Sequence, residues 1–84
     1  MDEHVLKHPQ QLASILRALR LQAGLSQADL AARLGISHQA VSQLEQRPER
    51  VTVERLMRVL AVLRVDLALR PRAGGDAPAA SGDW

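Results

Sequence analysis

Eighty-four residues, no cysteine and a net charge of +2 set narrow limits. A chain this short makes one small domain, and without thiols it has neither disulfide staples nor thiolate zinc sites. His4, His8 and His38, the three histidines, have no ligand-like spacing with a carboxylate cluster, so no metal and no other cofactor is expected.

The charge is unevenly placed. Residues 1–72 hold all eleven basic residues and seven of the nine acids, a net +4, and ten of the eleven cations are Arg. The guanidinium fork suits carboxylates and phosphates, so the balance is consistent with nucleic acid without establishing it. No stretch reads as a signal peptide and no apolar run is long enough to span a bilayer, which makes a cytoplasmic location the expectation.

In chain order, residues 1–7 read as a short arm with Val5 and Leu6 as its apolar members. Pro9 suits the first position of a helix, where its missing N–H has no role. Leu12, Ile15, Leu16 and Leu19 then recur at helical spacing, giving a first helix to about Gln22 that Gly24 ends. Ser26 is a fitting cap for a second helix, with Asp29 three residues on, close to a capping box. Its inner face is Leu30, Ala31 and Leu34. Gly35 suits the left-handed residue that closes this helix just before the next begins.

A third helix is expected from about Ser37 to Gln46. Ile36, Val41 and Leu44 join the buried side, while Ser37, His38, Gln39, Ser42 and Gln43 face outward. Pro48 places a loop at residues 47–50. Thr52 caps a fourth helix with an apolar stripe of Val53, Leu56, Leu60 and Leu63.

Beyond it, Val65, Leu67 and Leu69 alternate with Asp66 and Arg70, a period of two that reads as a short strand. A lone strand has unpaired backbone, so its partner is expected to be Val5 and Leu6 or, more simply, the same segment of a second copy. A continuation of the fourth helix is the alternative. Residues 73–84 have the Gly/Pro-rich composition of a flexible tail and cannot add to a core. About 72 residues then give only a marginal core, which favours a partner subunit.

The outward face of the third helix carries the functional signal. Amide side chains can bond bidentately to a base edge in the major groove. Gln39 and Gln43 are the candidate base contacts, with His38, Ser37, Ser42 and Arg47 as further DNA-contact candidates. Ser37 could equally be only a cap. Nowhere is there a carboxylate pair, a nucleophile with its base or a phosphate-cradling glycine loop, so the chain does not read as an enzyme.

Residues Gln27 to Leu44, with Ala31, Gly35, Ile36 and Leu44 at characteristic spacing, resemble the helix-turn-helix of the Cro and phage-repressor class, also called the XRE family. The similarity runs back through Arg20 to Ser26 and forward to Glu45. It implies an all-α, lambda-repressor-like bundle of four to five helices, with the short C-terminal strand expected to pair across a dimer. It further implies that Gln27 clamps a backbone phosphate and that Arg20 and Glu45 form a structural ion pair between the first and third helices.

Over a longer span, His8-Pro9-Gln10-Gln11-Leu12, the alternating segment from Val65 to Arg70 and a tail ending in Trp84 resemble HipB-type antitoxins, the DNA-binding partners of HipA-type kinases. The resemblance implies a homodimeric, autoregulating repressor of a double-stranded operator, associated with the nucleoid through that DNA. Residues 1–72 would be its DNA-binding domain with Val65, Leu67 and Leu69 for dimerisation. Trp84 would be a tethered anchor for a kinase toxin. A free-standing phage-type regulator, or a kinase-sequestering protein with secondary DNA binding, are the competing expectations.

Overall fold

The computed structural model describes residues 3–72. Four helices follow in order: α1 (Pro9–Gln22), α2 (Gln27–Leu34), α3 (His38–Gln46) and α4 (Val53–Val62), with a 3-10 turn at Pro48–Arg50 between the last two. The 3-10 turn replaces the irregular loop read at residues 47–50: Pro48 is buried, and its ring opens the turn where no N–H is needed.

Local chemistry sets the boundaries. At the start of α1 the Gln11 Oε1 accepts the Lys7 and His8 backbone N–H groups at 2.6 and 2.8 Å. The helix closes in a Schellman turn, with Leu25 N–H donating to Arg20 O and Gly24 N–H to Leu21 O. Ser26 and Asp29 form a reciprocal box on α2: Asp29 N–H donates to Ser26 Oγ at 3.0 Å, and Ser26 N–H to Asp29 Oδ2 at 2.9 Å. The Ser26 backbone N–H, and to a lesser extent its side chain, hold the Asp29 carboxyl below its ordinary pKa of 3.8.

Gly35 ends α2 at φ 72°, ψ 31°. A Cβ built there would touch nothing within 4 Å, so the glycine answers the backbone angle and not a close approach. Thr52 caps α4, its Oγ1 accepting Arg55 N–H at 3.1 Å.

The core lies where these helices converge. Leu16, Leu30, Ala31, Leu34, Val41, Leu44, Val59, Leu60 and Leu63 are buried, with Leu12, Leu19, Leu25, Ile36, Val51, Leu56, Val62 and Val65 packed around them. α2 packs on α3 and α4, while α1 packs on α3 and the 3-10 turn. The expected α4 stripe needs correction. Val53 is 67% exposed and Val59 is fully buried. Periodicity fixes the angle around a helix but not how far the neighbouring layer reaches along it, and Val53 is the first residue of α4.

The strand expected at Val65 to Arg70 is also corrected: among the described residues there is no strand. α4 ends in a second Schellman turn, with Val65 N–H bonded to Leu60 O and Arg64 N–H to Ala61 O. Arg64 takes the left-handed position at φ 62°. The chain then leaves the helical layer. Only Val65 packs on the core, while Leu67 is 51% and Leu69 93% exposed. The arm comes near this segment through an exposed ion pair, Arg70 Nη1 to Glu3 Oε1 at 2.6 Å, but Val5 and Leu6 make no ladder with it. Alternation selects a face, and a ladder also needs a second backbone within bonding distance.

Candidate nucleic-acid interface

One face of α3 is locked down and the other is open. Val41, Leu44 and Glu45 are buried, while His38, Gln39 and Gln43 are exposed and Ser42 is half-buried. Both sides follow from helical spacing: residues 39, 42, 43 and 46 share one flank, 41, 44 and 45 the other, and His38 lies at the border beside Glu45. The Ser37 hydroxyl accepts Ala40 N–H at 3.0 Å and so caps the helix. Ser42 Oγ accepts a long bond from Gln46 Nε2 at 3.4 Å. Arg47 follows α3 at its C-terminal end, exposed.

Behind this face a polar chain ties three helices together. Arg20 on α1 and Glu45 on α3 form a fork-to-fork pair, Nε to Oε2 at 2.6 Å and Nη2 to Oε1 at 3.2 Å, with both side chains under a tenth exposed. Arg20 Nη1 also donates to Leu25 O at 2.9 Å, in the α1–α2 connection. From α2, Gln27 Nε2 donates to Glu45 Oε1 at 3.1 Å, and Gln27 Oε1 lies 2.9 Å from His38 Nε2. No buried side-chain polar atom among the described residues lacks a partner. The pair is thus fully satisfied, the condition under which a buried charge pair is tolerated.

Gln27 is therefore half-buried and engaged at both ends of its amide, although one of its two amide hydrogens remains free. Its bond to His38 joins two of the candidate DNA contacts, one on each helix of the motif. The periodicity of a single helix cannot show such a bond. His38 and Glu45 are seven residues apart and so share one side of α3, but nothing local brings Gln27 to them.

At the C-terminal end of α3 the surface is concave and basic. A cavity of about 600 Å³ is lined by Gln43 and Arg47 with Arg50, Arg55 and Arg58, and Glu54 is the one acid in its lining. Arg58 also donates from Nη2 to Leu34 O at 3.0 Å, tying α4 to the end of α2. Reading the sequence missed Arg50, Arg55 and Arg58. Arg55 and Arg58, three residues apart on α4, were the available signal.

Some candidate positions lie elsewhere. Val65, Leu67 and Leu69 are on the segment after α4, and none of them lines the basic cavity. Trp84 and the expected tail at 73–84 lie outside the described residues. Among the described residues no group of acidic or histidine side chains could hold a metal, and no helix is long and apolar enough to cross a membrane.

A helix-turn-helix family profile matches residues 16–69, from the middle of α1 to the exposed segment after α4. The antitoxin HipB of Escherichia coli K12 is 31% identical over 61 residues, covering 73% of this chain and 69% of that protein. The antitoxin HipB of Escherichia coli O6:H1 is 30% identical over 61 residues, covering 73% and 65%. Among solved structures, the HipB chain of a HipB-O1-O2 complex superposes with a TM-score of 0.75 at 28% identity, covering 82% of this chain and all of that one. A chain of a HipA-HipB-O2-O3 complex gives 0.74 at 28%, covering 82% and 97%. This chain belongs to the helix-turn-helix family of the Cro and phage-repressor type, is HipB-like within it, and is a regulator and not an enzyme.

Proposed function

We propose that the chain is a HipB-type antitoxin: a two-fold dimer that binds its own operator, represses the operon and partners a HipA-type kinase. The observation that carries the DNA reading is the polarity of α3, buried along Val41, Leu44 and Glu45 and open along His38, Gln39 and Gln43. A helix of nine residues presenting two free amides fits the major groove. Gln39 and Gln43 are the base readers, with His38 beside them. Ser42 and the free N–H of Gln27 are assigned to backbone oxygens, as are Arg47, Arg50 and Arg55, which line the basic cavity. Ser37 acts as the cap of α3. Such phosphate contacts position the protein and carry no sequence information.

Dimerisation is assigned to residues 53–69. Val53, Met57 and Ala61 recur every four residues on the outer face of α4 and are exposed, and Leu67 and Leu69 continue that apolar surface along the chain. In a dimer the backbone from Asp66 to Arg70 pairs with its mate, which gives its N–H and C=O groups partners that no ladder among the described residues supplies. Residues 1–72 form the DNA-binding unit and residues 73–84 the tail, with Trp84 assigned to the kinase. The protein is cytoplasmic and associates with the nucleoid through its operator. The kinase assignment is supported by the HipA-HipB-O2-O3 complex among the structural relatives.

Fluorescence anisotropy on the chain's own upstream DNA tests the DNA reading. Binding should saturate with two chains per palindrome and weaken steeply with salt as Arg side chains displace counterions. Equal affinity for scrambled DNA at every salt concentration would remove the operator assignment.

A further inference from the structure

The bonds around Gln27 settle which nitrogen of His38 carries its proton. Glu45 lies in the fork of Arg20 as a carboxylate, which only accepts hydrogen bonds. The Gln27 atom 3.1 Å from Glu45 Oε1 is therefore the amide nitrogen, and the amide cannot be flipped without setting two oxygens against each other. The amide oxygen is then the atom facing His38 Nε2 at 2.9 Å. An oxygen acceptor requires a proton on that nitrogen. In a neutral imidazole the other nitrogen, Nδ1, is then a bare acceptor. His38 is exposed on the first residue of α3, and its Nδ1 has no hydrogen bond among the described residues.

We propose that Gln27 is a positioning residue that locks His38 in the Nε2–H form, so that α3 presents Nδ1 as an acceptor and selects a base bearing an amino group, adenine or cytosine, at one position of each half-site. In the major groove adenine offers N6–H₂ and cytosine N4–H₂, whereas guanine O6 and N7 and thymine O4 only accept. A bare Nδ1 accordingly rejects guanine and thymine at the position it faces. This rests on the DNA-binding reading above and deepens it: the selectivity of His38 originates in the buried Arg20–Glu45 pair beneath it, relayed through one amide.

Two measurements test it. The first needs no DNA. Ring-nitrogen NMR of the ¹⁵N-histidine-labelled full chain, at alkaline pH, should show His38 as the Nε2–H form alone, with exposed His4 as the solvated reference within the same molecule. Gln27→Ala should move the His38 shifts toward the averaged values of His4. A His38 found as Nδ1–H in the unsubstituted chain overturns the proposal, and so does a His38 whose shifts do not respond to Gln27→Ala in a chain that keeps its melting transition.

The second is a binding panel in which every half-site position carries each base in turn. One position should favour adenine or cytosine by roughly three- to tenfold per half-site, the worth of one hydrogen bond. His38→Ala should abolish that preference at that position alone, and Gln27→Ala should blunt it. Specific binding with guanine or thymine preferred at the His38-dependent position, or with no such position, overturns this proposal and leaves the operator assignment standing. Loss of all sequence preference in the unsubstituted chain overturns both.

Discussion

The two helices of the central motif and the segment after α4 treat apolar residues in opposite ways. Between Gln27 and Gln46 every large apolar side chain is buried or half-buried, each helix start is capped, and the charged pair behind α3 is satisfied. Beyond Arg64 the chain keeps Leu67 and Leu69 in solvent, and its backbone has no ladder among the described residues. The first region is complete within one chain. The second exposes its apolar side chains, and the proposed dimer gives them a second copy to pack against.

The largest break in this contrast is a cut into the complete region. Glu45→Ala leaves the Arg20 guanidinium, at 8% side-chain exposure, without its counter-charge. Breaking a buried pair on one side costs about 3–5 kcal/mol, and in a domain this small that is a fall in melting temperature of more than roughly 10 °C. Thermal unfolding followed by circular dichroism reads it. An unchanged transition would show that the pair is solvated in solution.

Substitution in the incomplete region should do the reverse, sparing the fold and removing the partner. Met57→Asp with Leu67→Asp alters two side chains that are each about half exposed, so the helices of a single chain lose little. The dimer should dissociate at least tenfold more readily by analytical ultracentrifugation, and operator affinity should fall with it. A dimer untouched by the double substitution would move the interface off α4 and the segment that follows.

Two helix ends give a smaller pair of effects with opposite signs. Gly35 and Arg64 both hold left-handed backbone, at φ 72° and 62°. Gly35→Ala meets no steric neighbour and pays only the backbone term, about 1–2 kcal/mol. Arg64→Gly relieves the same strain at the end of α4 and should stabilise by about 1 kcal/mol or less, since glycine also loosens the unfolded chain. Chemical denaturation of the two variants would show the signs directly.

Smallest is a pH effect at the α2 cap. The Asp29 carboxyl is depressed below 3.8 in the folded chain, so its stabilisation is fully present above that value and is lost as pH falls through the folded pKa. The melting-temperature difference between the unsubstituted chain and Asp29→Asn should therefore shrink at acid pH. A difference that grows there would mean the carboxylate is not the capping form.

What could be read in the sequence was what is local. Ser26 with Asp29, Gly35 and Thr52 each declare a helix end through chemistry spanning a few residues, and the outward flank of α3 follows from spacing alone. The bond from Gln27 to Glu45 spans 18 positions and crosses helices, so no pattern along the chain could show it. The left-handed Arg64 was hidden for a different reason, because arginine gives no sign of that backbone. The segment at Val65, Leu67 and Leu69 was read from its alternation as a strand. Alternation reports which side chains share a face, while pairing depends on a second backbone within bonding distance, which none of the described residues supplies.

The central claim is that the open face of α3 reads DNA while the buried face only holds it in place. Gln43→Ala tests it most directly, since Gln43 is exposed and makes no hydrogen bond to the Arg20–Glu45 pair. Affinities for cognate and scrambled duplexes should be measured across a salt series. The gap between the two should close by about 1–3 kcal/mol for the lost bidentate contact, with the salt slope unchanged. An equal loss on both duplexes, or a change in salt slope with the gap intact, would contradict the account and make Gln43 a phosphate contact.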